Sequence, residues 1–475
     1  MTRVFSIFER IGLGGGGKVK AVLHRMNAIS EMPEFDAVLL SLDHGVNHKR
    51  NFAQLQAKGT IARRVLHLTL PEACHAAAVA AGVTPFDDFP VYDQTQTKGT
   101  KTVYTRDGET VMTDKSTNTP MGVVTKRIVP HPGGDLRYTL IDGALHQLVQ
   151  NNPDGTTETT DFAASLPIRW VKTRDRAFVV GKNLITDTIC RMPRVYVQNL
   201  FQMIPWDDAV VFFDGVTSAY LSSVTSAPRA LFLHADHRGP EGGVVPRSKF
   251  LIENFKGEAI ITSTQVHKRQ IEADVTPAAP VHVIPHFCES GAVAGGARRH
   301  FVTVSRLELT GKPIHECIEA FCRIKDDHPD VDYLIYGLGA GQAELEAQIV
   351  RLDCVDRVRL EGYTTDPLGV FRSAIASVYP TTTEGFGLSI LEALSNGCPV
   401  ISYDVNYGPR EMIRPGLNGV LVPRGDIDAI ALAMREVLAH PQQYQQGTSA
   451  GLERYTRQAY LHNYRDIVRS LVAYR

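Results

Sequence analysis

The stretch of this chain best equipped for chemistry is Thr381-Thr-Thr-Glu384-Gly-Phe-Gly-Leu-Ser-Ile-Leu-Glu392-Ala-Leu-Ser-Asn-Gly397, which places two carboxylates eight residues apart. Between them a glycine turn leads into a helix, so the amides of Phe386, Gly387 and Leu388 are the free N–H groups of a helix start. Acceptors and donors side by side suit a ligand that is rich in hydroxyls and carries an anion. Two cations bound a second loop, Arg306-Leu-Glu-Leu-Thr-Gly-Lys312. At a strand-to-helix turn they would meet a diphosphate that gains charge as it leaves. His234 opens His234-Ala-Asp-His-Arg238 at the end of the apolar run Ala230–Leu233, where open α/β sheets bind ligands. Gly14, Gly15, Gly16 and Gly17 follow the first apolar run and let the backbone approach a phosphate or sugar closely.

These groups need a scaffold, and the hydrophobic periodicity supplies one. Ala374–Tyr379 reads as a buried strand ahead of Glu384, and Asn396-Gly397 as the C-cap of the helix that carries Glu392 on the face of Leu388. Val4–Phe8, a helix over Lys18–Ser30 and Ala37–Leu42 begin a strand-helix alternation that lasts to about Ala81. Taken literally, Gly12-x-Gly14-x-x-Gly17 with Asp43 beyond the next strand matches a dinucleotide fingerprint, so a nicotinamide-dependent oxidoreductase is one open reading.

Between Tyr92 and Phe162 the pattern changes to short β-rich runs separated by Asp107-Gly108, Gly133-Gly134, Asp142-Gly143 and Asp154-Gly155. Asp-Gly tolerates the positive φ of a type I′ turn, so these runs predict an antiparallel meander inserted into an α/β domain. From Arg176 the α/β pattern returns, with strands expected at Ala177–Val180, Val195–Val197, Asp208–Phe213, Ala230–Leu233, Ala259–Ser263 and Val281–Pro285 continuing the first sheet. The small-residue run Cys288–Ala297 reads as a linker. A second α/β domain follows, from strand His300–Ser305 and helix Pro313–Ile324 through Asp332–Tyr336, Gly337-x-Gly339-x-Gly341 and Val358–Leu360. Beyond His440 the chain reads as helical.

Glu384-Gly-Phe-Gly-Leu-x3-Glu392-Ala, followed by Gly397-Cys-Pro-Val-Ile, resembles the Glu-x7-Glu signature of retaining glycosyltransferases of family 4. The resemblance implies an α/β fold of the GT-B type, two doubly wound Rossmann-like domains facing a cleft with an antiparallel β-sheet insertion in the first. It divides the chain into 1–85 and 166–290 as the two parts of the first domain, 86–165 as the insertion, 298–450 as the nucleotide-sugar domain and 451–475 as a helix crossing back. Glu384, His234, Arg306 and Lys312 take catalytic positions in it, although Arg306 and Lys312 are six apart where the family pattern has five. Gly14–Gly17, Glu361, Gly362, Tyr363, Phe386, Gly387, Leu388, Ser389 and Glu392 take donor-binding positions, with main-chain atoms around Tyr363 on the base and Glu392 on ribose.

The hairpin insertion is similar to that of the wall-teichoic-acid poly(glycerol-phosphate) and poly(ribitol-phosphate) α-glycosyltransferases, and of relatives that place N-acetylglucosamine on serine-rich adhesins. The donor is then UDP-glucose or UDP-N-acetylglucosamine, and the acceptor a polymeric anion or a serine-rich protein, with homo-oligomers formed through the insertion. A non-catalytic glycan-binding partner is the other open reading. No Asp-x-Asp cluster accompanies the glycine turns, so neither metal nor cofactor is expected.

Composition narrows the partners. With 50 basic and 51 acidic side chains, no nucleic acid is called for. From Arg169 to Arg194 seven Lys/Arg face two Asp/Glu, which leaves an anionic acceptor or a lipid surface open. Seven scattered cysteines without a Cys-x-x-Cys suggest neither disulfide framework nor zinc site, and a reducing compartment fits. The N-terminus has no signal-peptide span and no apolar run reaches about 18 residues, so a cytoplasmic protein, at most at the inner membrane face, is expected.

Overall fold

The computed structural model describes the chain except residues 9–16, 43–45, 86–88, 120–121, 164, 185–187, 215–217, 240–241, 292–297 and 475. It divides into two compact units, 1–229 with 471–475, and 230–470. The second unit begins well before the small-residue run at 288–297.

In the first unit, β1 (Thr2–Phe8), β2 (Phe35–Ser41) and β3 (Leu66–Thr69) are parallel and alternate with α1 (Gly17–Ser30), α2 (Val46–Ala57) and α3 (Leu70–Ala80). The strands are near-continuous apolar runs because helices cover the sheet. A ten-stranded antiparallel sheet then runs in chain order: β4 (Gln94–Lys98), β5 (Lys101–Arg106), β6 (Glu109–Thr119), β7 (Gly122–Val129), β8 (Leu136–Ile141), β9 (Ala144–Asn151), β10 (Thr156–Ala163), β11 (Leu166–Arg174), β12 (Ala177–Asn183) and β13 (Thr188–Cys190). Asp107-Gly108 (φ 52 and 83) and Asp142-Gly143 (φ 48 and 83) turn their hairpins with both residues left-handed, as the type I′ expectation requires.

Two strand expectations are overturned. Ala177–Val180 lies in β12, paired antiparallel with β11 rather than in the parallel sheet, because Asp175-Arg176 (φ 48 and 65) closes a two-residue hairpin without glycine. Val195–Val197 is helical within α4 (Pro193–Gln202), where Pro193 at the first helical position outweighs the β-branched valines. The chain then returns to the parallel sheet with β14 (Ala209–Asp214), which pairs with the far side of β1 and is buried at all six positions.

In the second unit β15 (Arg229–Phe232), β16 (Ala259–Thr262) and β17 (Val281–Val283) are parallel, with α5 (Pro246–Asn254) and α6 (Gln265–Asp274) between them. A six-stranded parallel sheet follows, made of β18 (His300–Val304), β19 (Asp332–Tyr336), β20 (Val358–Gly362), β21 (Ser377–Tyr379), β22 (Val400–Tyr403) and β23 (Gly419–Val422). Its order is β20–β19–β18–β21–β22–β23. The winding therefore reverses between β18 and β21, and the crevice at the carboxyl ends of those two strands is where such a sheet takes a ligand.

Its helices are α7 (Ile314–Cys322), α8 (Gln342–Arg351), α9 (Pro367–Ser373), α10 (Leu388–Ser395), α11 (Gly408–Met412), α12 (Ile427–Ala439), α13 (Pro441–Gln446) and α14 (Arg457–Val472). Tyr455, just ahead of α14, packs edge-on to Phe386 with ring centroids 5.8 Å apart. Cys322 and Cys354, Cα atoms 6.3 Å apart, form a disulfide that scattered cysteine spacing did not suggest. Packing of α7 beside α8 brings together residues 32 apart in the chain.

Candidate active site

Lys312 and Glu384 meet at the switch point between β18 and β21, as an ion pair whose side chains are each 14% exposed. Glu384 Oε1 also accepts from Tyr379 Oη at 2.8 Å and Thr381 Oγ1 at 3.0 Å. Lys312 Nζ in turn donates to Thr381 Oγ1 at 2.7 Å and Tyr379 Oη at 3.0 Å. One carboxylate oxygen is thus tied to three donors, while Oε2 has no hydrogen bond among the described residues. Burial first, then the neighbouring charge of Glu384, pushes the Tyr379 phenol well above its ordinary range, so it is a neutral donor.

Glycines make these approaches possible. A Cβ at Gly385 would lie 2.1 Å from the carbonyl oxygen of His234, so the loop after β21 reaches the end of β15 only because residue 385 has no side chain. Ser263 Oγ fixes the same contact by donating to the Gly385 carbonyl at 3.1 Å. Gly387 takes φ 85 as the N-cap of α10 and turns the chain into the helix that carries Glu392. At the other loop, a Cβ at Gly337 would meet the Ser305 carbonyl at 1.8 Å, and Leu307 N–H donates to Leu338 O at 3.1 Å. The Arg306–Lys312 loop is therefore laid directly on the second glycine turn.

Glu384 faces a cavity of about 240 Å³ that Asp236, Arg238, Thr382, Asn406 and Arg424 also line. A second cavity of about 340 Å³ adjoins it across Thr382 and Arg424. Beside the first, Tyr407 Oη donates to Asp236 Oδ1 at 2.6 Å, and Arg238 forks onto Asp274 with two bonds of 2.6 Å. The Arg238 bonds hold Asp274 down at about 2. Burial holds His267 at about 3, so its ring is neutral.

Asp236, His237 and His267 offer ligand atoms within 4.8 Å of one another, and His237 Nδ1 and both His267 nitrogens have no hydrogen-bond partner among the described residues. The two rings are inclined by only 23°, with centroids 5.3 Å apart. As arranged they stack, His237 on His267 and His267 on Tyr407.

The structure sorts the residues singled out by sequence. Glu384, Lys312, Phe386–Ser389 and Glu392 come together around β21 and α10. Glu392 is 6% exposed, and its charge adds to that of Glu384 on Tyr379. The His234 backbone packs on Gly385, and its ring stacks on Phe232 at 4.4 Å. Lys312 reaches the site despite the longer loop, whereas Arg306 is 65% exposed and pairs with Glu308 at 3.0 Å. Glu361 pairs with Arg359 at 3.2 Å, Gly362 accepts from the Gly337 amide, and Tyr363 is exposed. Gly14, Gly15, Gly16 and Asp43 lie outside the described residues, and Gly17 opens α1. Tyr379, Thr381, Asp236 and Arg424 were missed. Their one sequence signal is that each follows or ends a strand at its carboxyl end, the side that binds ligands in such sheets.

Two parallel α/β sheets and an antiparallel insertion define a GT-B fold, the scaffold of nucleotide-sugar transferases, and residues 294–454 match the family model Glycosyl transferases group 1. Over its whole length the chain is similar to the solved structure of S. aureus TarM, with TM-score 0.76 at 17% identity, covering 98% of this chain and 99% of that one. The pneumococcal O-GlcNAc transferase GtfA, solved with UDP and GlcNAc, gives TM-score 0.71 at 17% identity over 99% of both chains. Among curated sequences, the poly(glycerol-phosphate) alpha-glucosyltransferase of Bacillus subtilis is 33% identical over 167 residues, 34% of this chain and 24% of that protein. The peptide N-acetylglucosaminyltransferase GtfA subunit of Streptococcus gordonii is 34% identical over 122 residues, 26% of this chain and 24% of that protein. The chain thus spans about a quarter of the length of these two curated relatives.

Proposed function

We propose that the protein is a retaining glycosyltransferase that moves glucose or N-acetylglucosamine from a UDP-sugar to a polymeric acceptor, a teichoic-acid polyol phosphate. The observation that carries this is the Lys312–Glu384 pair at the switch point of the group 1 domain, with Glu384 Oε2 unbonded beside a cavity of about 240 Å³. The amides of Phe386–Leu388 meet the departing diphosphate, a preorganised contribution of roughly 2.7–4 kcal/mol per well-placed donor, and Lys312 adds its positive charge beside it. Glu384 Oε2 accepts a hydroxyl of the sugar, and buried Glu392 takes the ribose. His234 lines the reaction centre. UDP-sugars are α-linked, so an α product, as in the name of the Bacillus subtilis relative, is retention.

A second acceptor class, serine or threonine of a serine-rich protein, is favoured by the likeness to GtfA over 99% of both chains. The acceptor side and self-association are assigned to the ten-stranded sheet, whose edge strand β4 is exposed at all five positions. Among the described residues no helix is long and apolar enough to cross a membrane. The test is UDP release from UDP-glucose and UDP-N-acetylglucosamine, with and without polyol-phosphate polymer or serine-rich peptide. Acceptor-dependent turnover is expected, and its absence with both donors and both acceptors would sink the proposal.

A further inference from the structure

Tyr379 is the last residue of β21, 6% exposed, and its hydroxyl contacts both charges of the site. Its oxygen accepts from Lys312 Nζ at 3.0 Å, and its proton goes to Glu384 Oε1 at 2.8 Å. The ammonium also lies 4.4 Å from the centre of the Tyr379 ring. Lysine has three N–H donors, and here they are met by Tyr379, Thr381 and Glu384. Tyr379 joins the cation assigned to the diphosphate with the carboxylate assigned to the sugar.

We propose that Tyr379 is the positioning residue of the donor site: it bridges Lys312 and Glu384, pins Oε1, and so leaves Oε2 as the oxygen that the sugar hydroxyl meets. The inference rests on the transferase reading above. Glu384 has Lys312 beside it from the loop after β18 and Tyr379 from β21. Across the cavity stand Asp236, Arg238, Asp404, Arg410 and Arg424. Arg238 and Arg410 are already paired with Asp274 and Asp404.

The test compares the full chain with Tyr379→Phe, which keeps the ring and removes only the oxygen. UDP release is followed across the acid and neutral range, and UDP affinity is measured by calorimetry. Loss of one hydrogen bond to a charged pair lowers kcat about tenfold, while UDP affinity stays within about twofold, since the diphosphate contacts remain. KM for the UDP-sugar likewise stays within about twofold, so the loss falls on kcat alone. A purely structural tyrosine would lower thermal stability and leave kcat of the folded protein in place.

Difluorotyrosine placed at position 379 alone keeps the shape and alters only the strength of the hydroxyl's hydrogen bonds, and it changes kcat with thermal stability unmoved. It decides the matter if Tyr379→Phe does not fold. Unchanged kcat in either protein overturns the proposal and spares the transferase reading. A wild-type chain that turns over neither UDP-sugar removes both.

Discussion

Two ion pairs in this molecule look alike in a residue inventory and differ in what surrounds them. In the first unit Arg25 pairs with Asp214 at side-chain exposures of 1% and 0%. Its guanidinium donates to Asp214 Oδ1 at 3.0 Å and Ser6 Oγ at 2.7 Å, and Ser6 Oγ donates to Asp214 Oδ2 at 2.5 Å. Both carboxylate oxygens are engaged and the Phe212 ring lies under the guanidinium at 4.9 Å. In the second unit Lys312–Glu384 is as richly bonded on one oxygen and open on the other, and it faces a cavity. A closed pair can only hold elements together. An open pair is held together so that its remaining valence can meet something else.

The comparison breaks most visibly at Asp214. Asp214→Ala leaves a buried guanidinium without its counter-charge, and equilibrium urea unfolding should show a loss of about 3–5 kcal/mol. Donor affinity of the folded fraction should not change. Glu384→Gln is expected to show the reverse: turnover falls about 10²–10³-fold, while unfolding shifts by less than about 2 kcal/mol. Equal effects of both substitutions on stability, or unchanged turnover in Glu384→Gln, would erase the distinction between the pairs.

Next in size is Gly385→Ala, since a methyl 2.1 Å from the His234 carbonyl forces backbone apart at a cost of about 1–3 kcal/mol. Because the displaced groups are those of the open pair's loop, turnover should drop more than tenfold, a loss larger than the unfolding midpoint would suggest. If activity simply tracks the folded fraction, Gly385 matters for packing alone.

The two pairs also differ in how readable they were. Glu384 stands in a local pattern, a carboxylate on a glycine turn between a buried strand and a helix start, and each of those features follows from short-range periodicity and turn chemistry. Arg25 sits in Leu23-His-Arg-Met-Asn27, where a cation reads as solvated, and its partner comes 189 residues later through the pairing of β1 with β14. Local sequence cannot carry that information. Tyr379 was read only as the end of an apolar strand, because a phenol's partners are chosen by strand order. The hairpin at Asp175-Arg176 was missed for a different reason: a left-handed arginine costs of order 1 kcal/mol, and only tertiary pairing makes it worthwhile. The disulfide and the φ of 78 at Tyr407 have the same origin in packing.

The effect that is smallest per step of condition lies beside the open pair, in buried groups with open valences. His267 is fully buried, burial holds its folded pKa at about 3, and the unfolded chain titrates near the ordinary 6.5. A depressed histidine favours the folded state in full above 6.5. Between 6.5 and about 3 the unfolded chain binds a proton that the folded chain refuses, so stability must fall as pH is lowered through that window. The nearest charge that could reverse the sign is Asp236, but it already accepts from Tyr407 and from the Arg238 amide. His267→Phe keeps a ring against Tyr407 and removes the titration. Urea unfolding of both proteins should give parallel stabilities above 6.5 and then a difference that narrows or reverses by about 1.4 kcal/mol per pH unit on acidification. Parallel curves throughout would mean that protons or an ion reach His267 in the folded state, and the polar cluster would then join the open region of the molecule rather than its core.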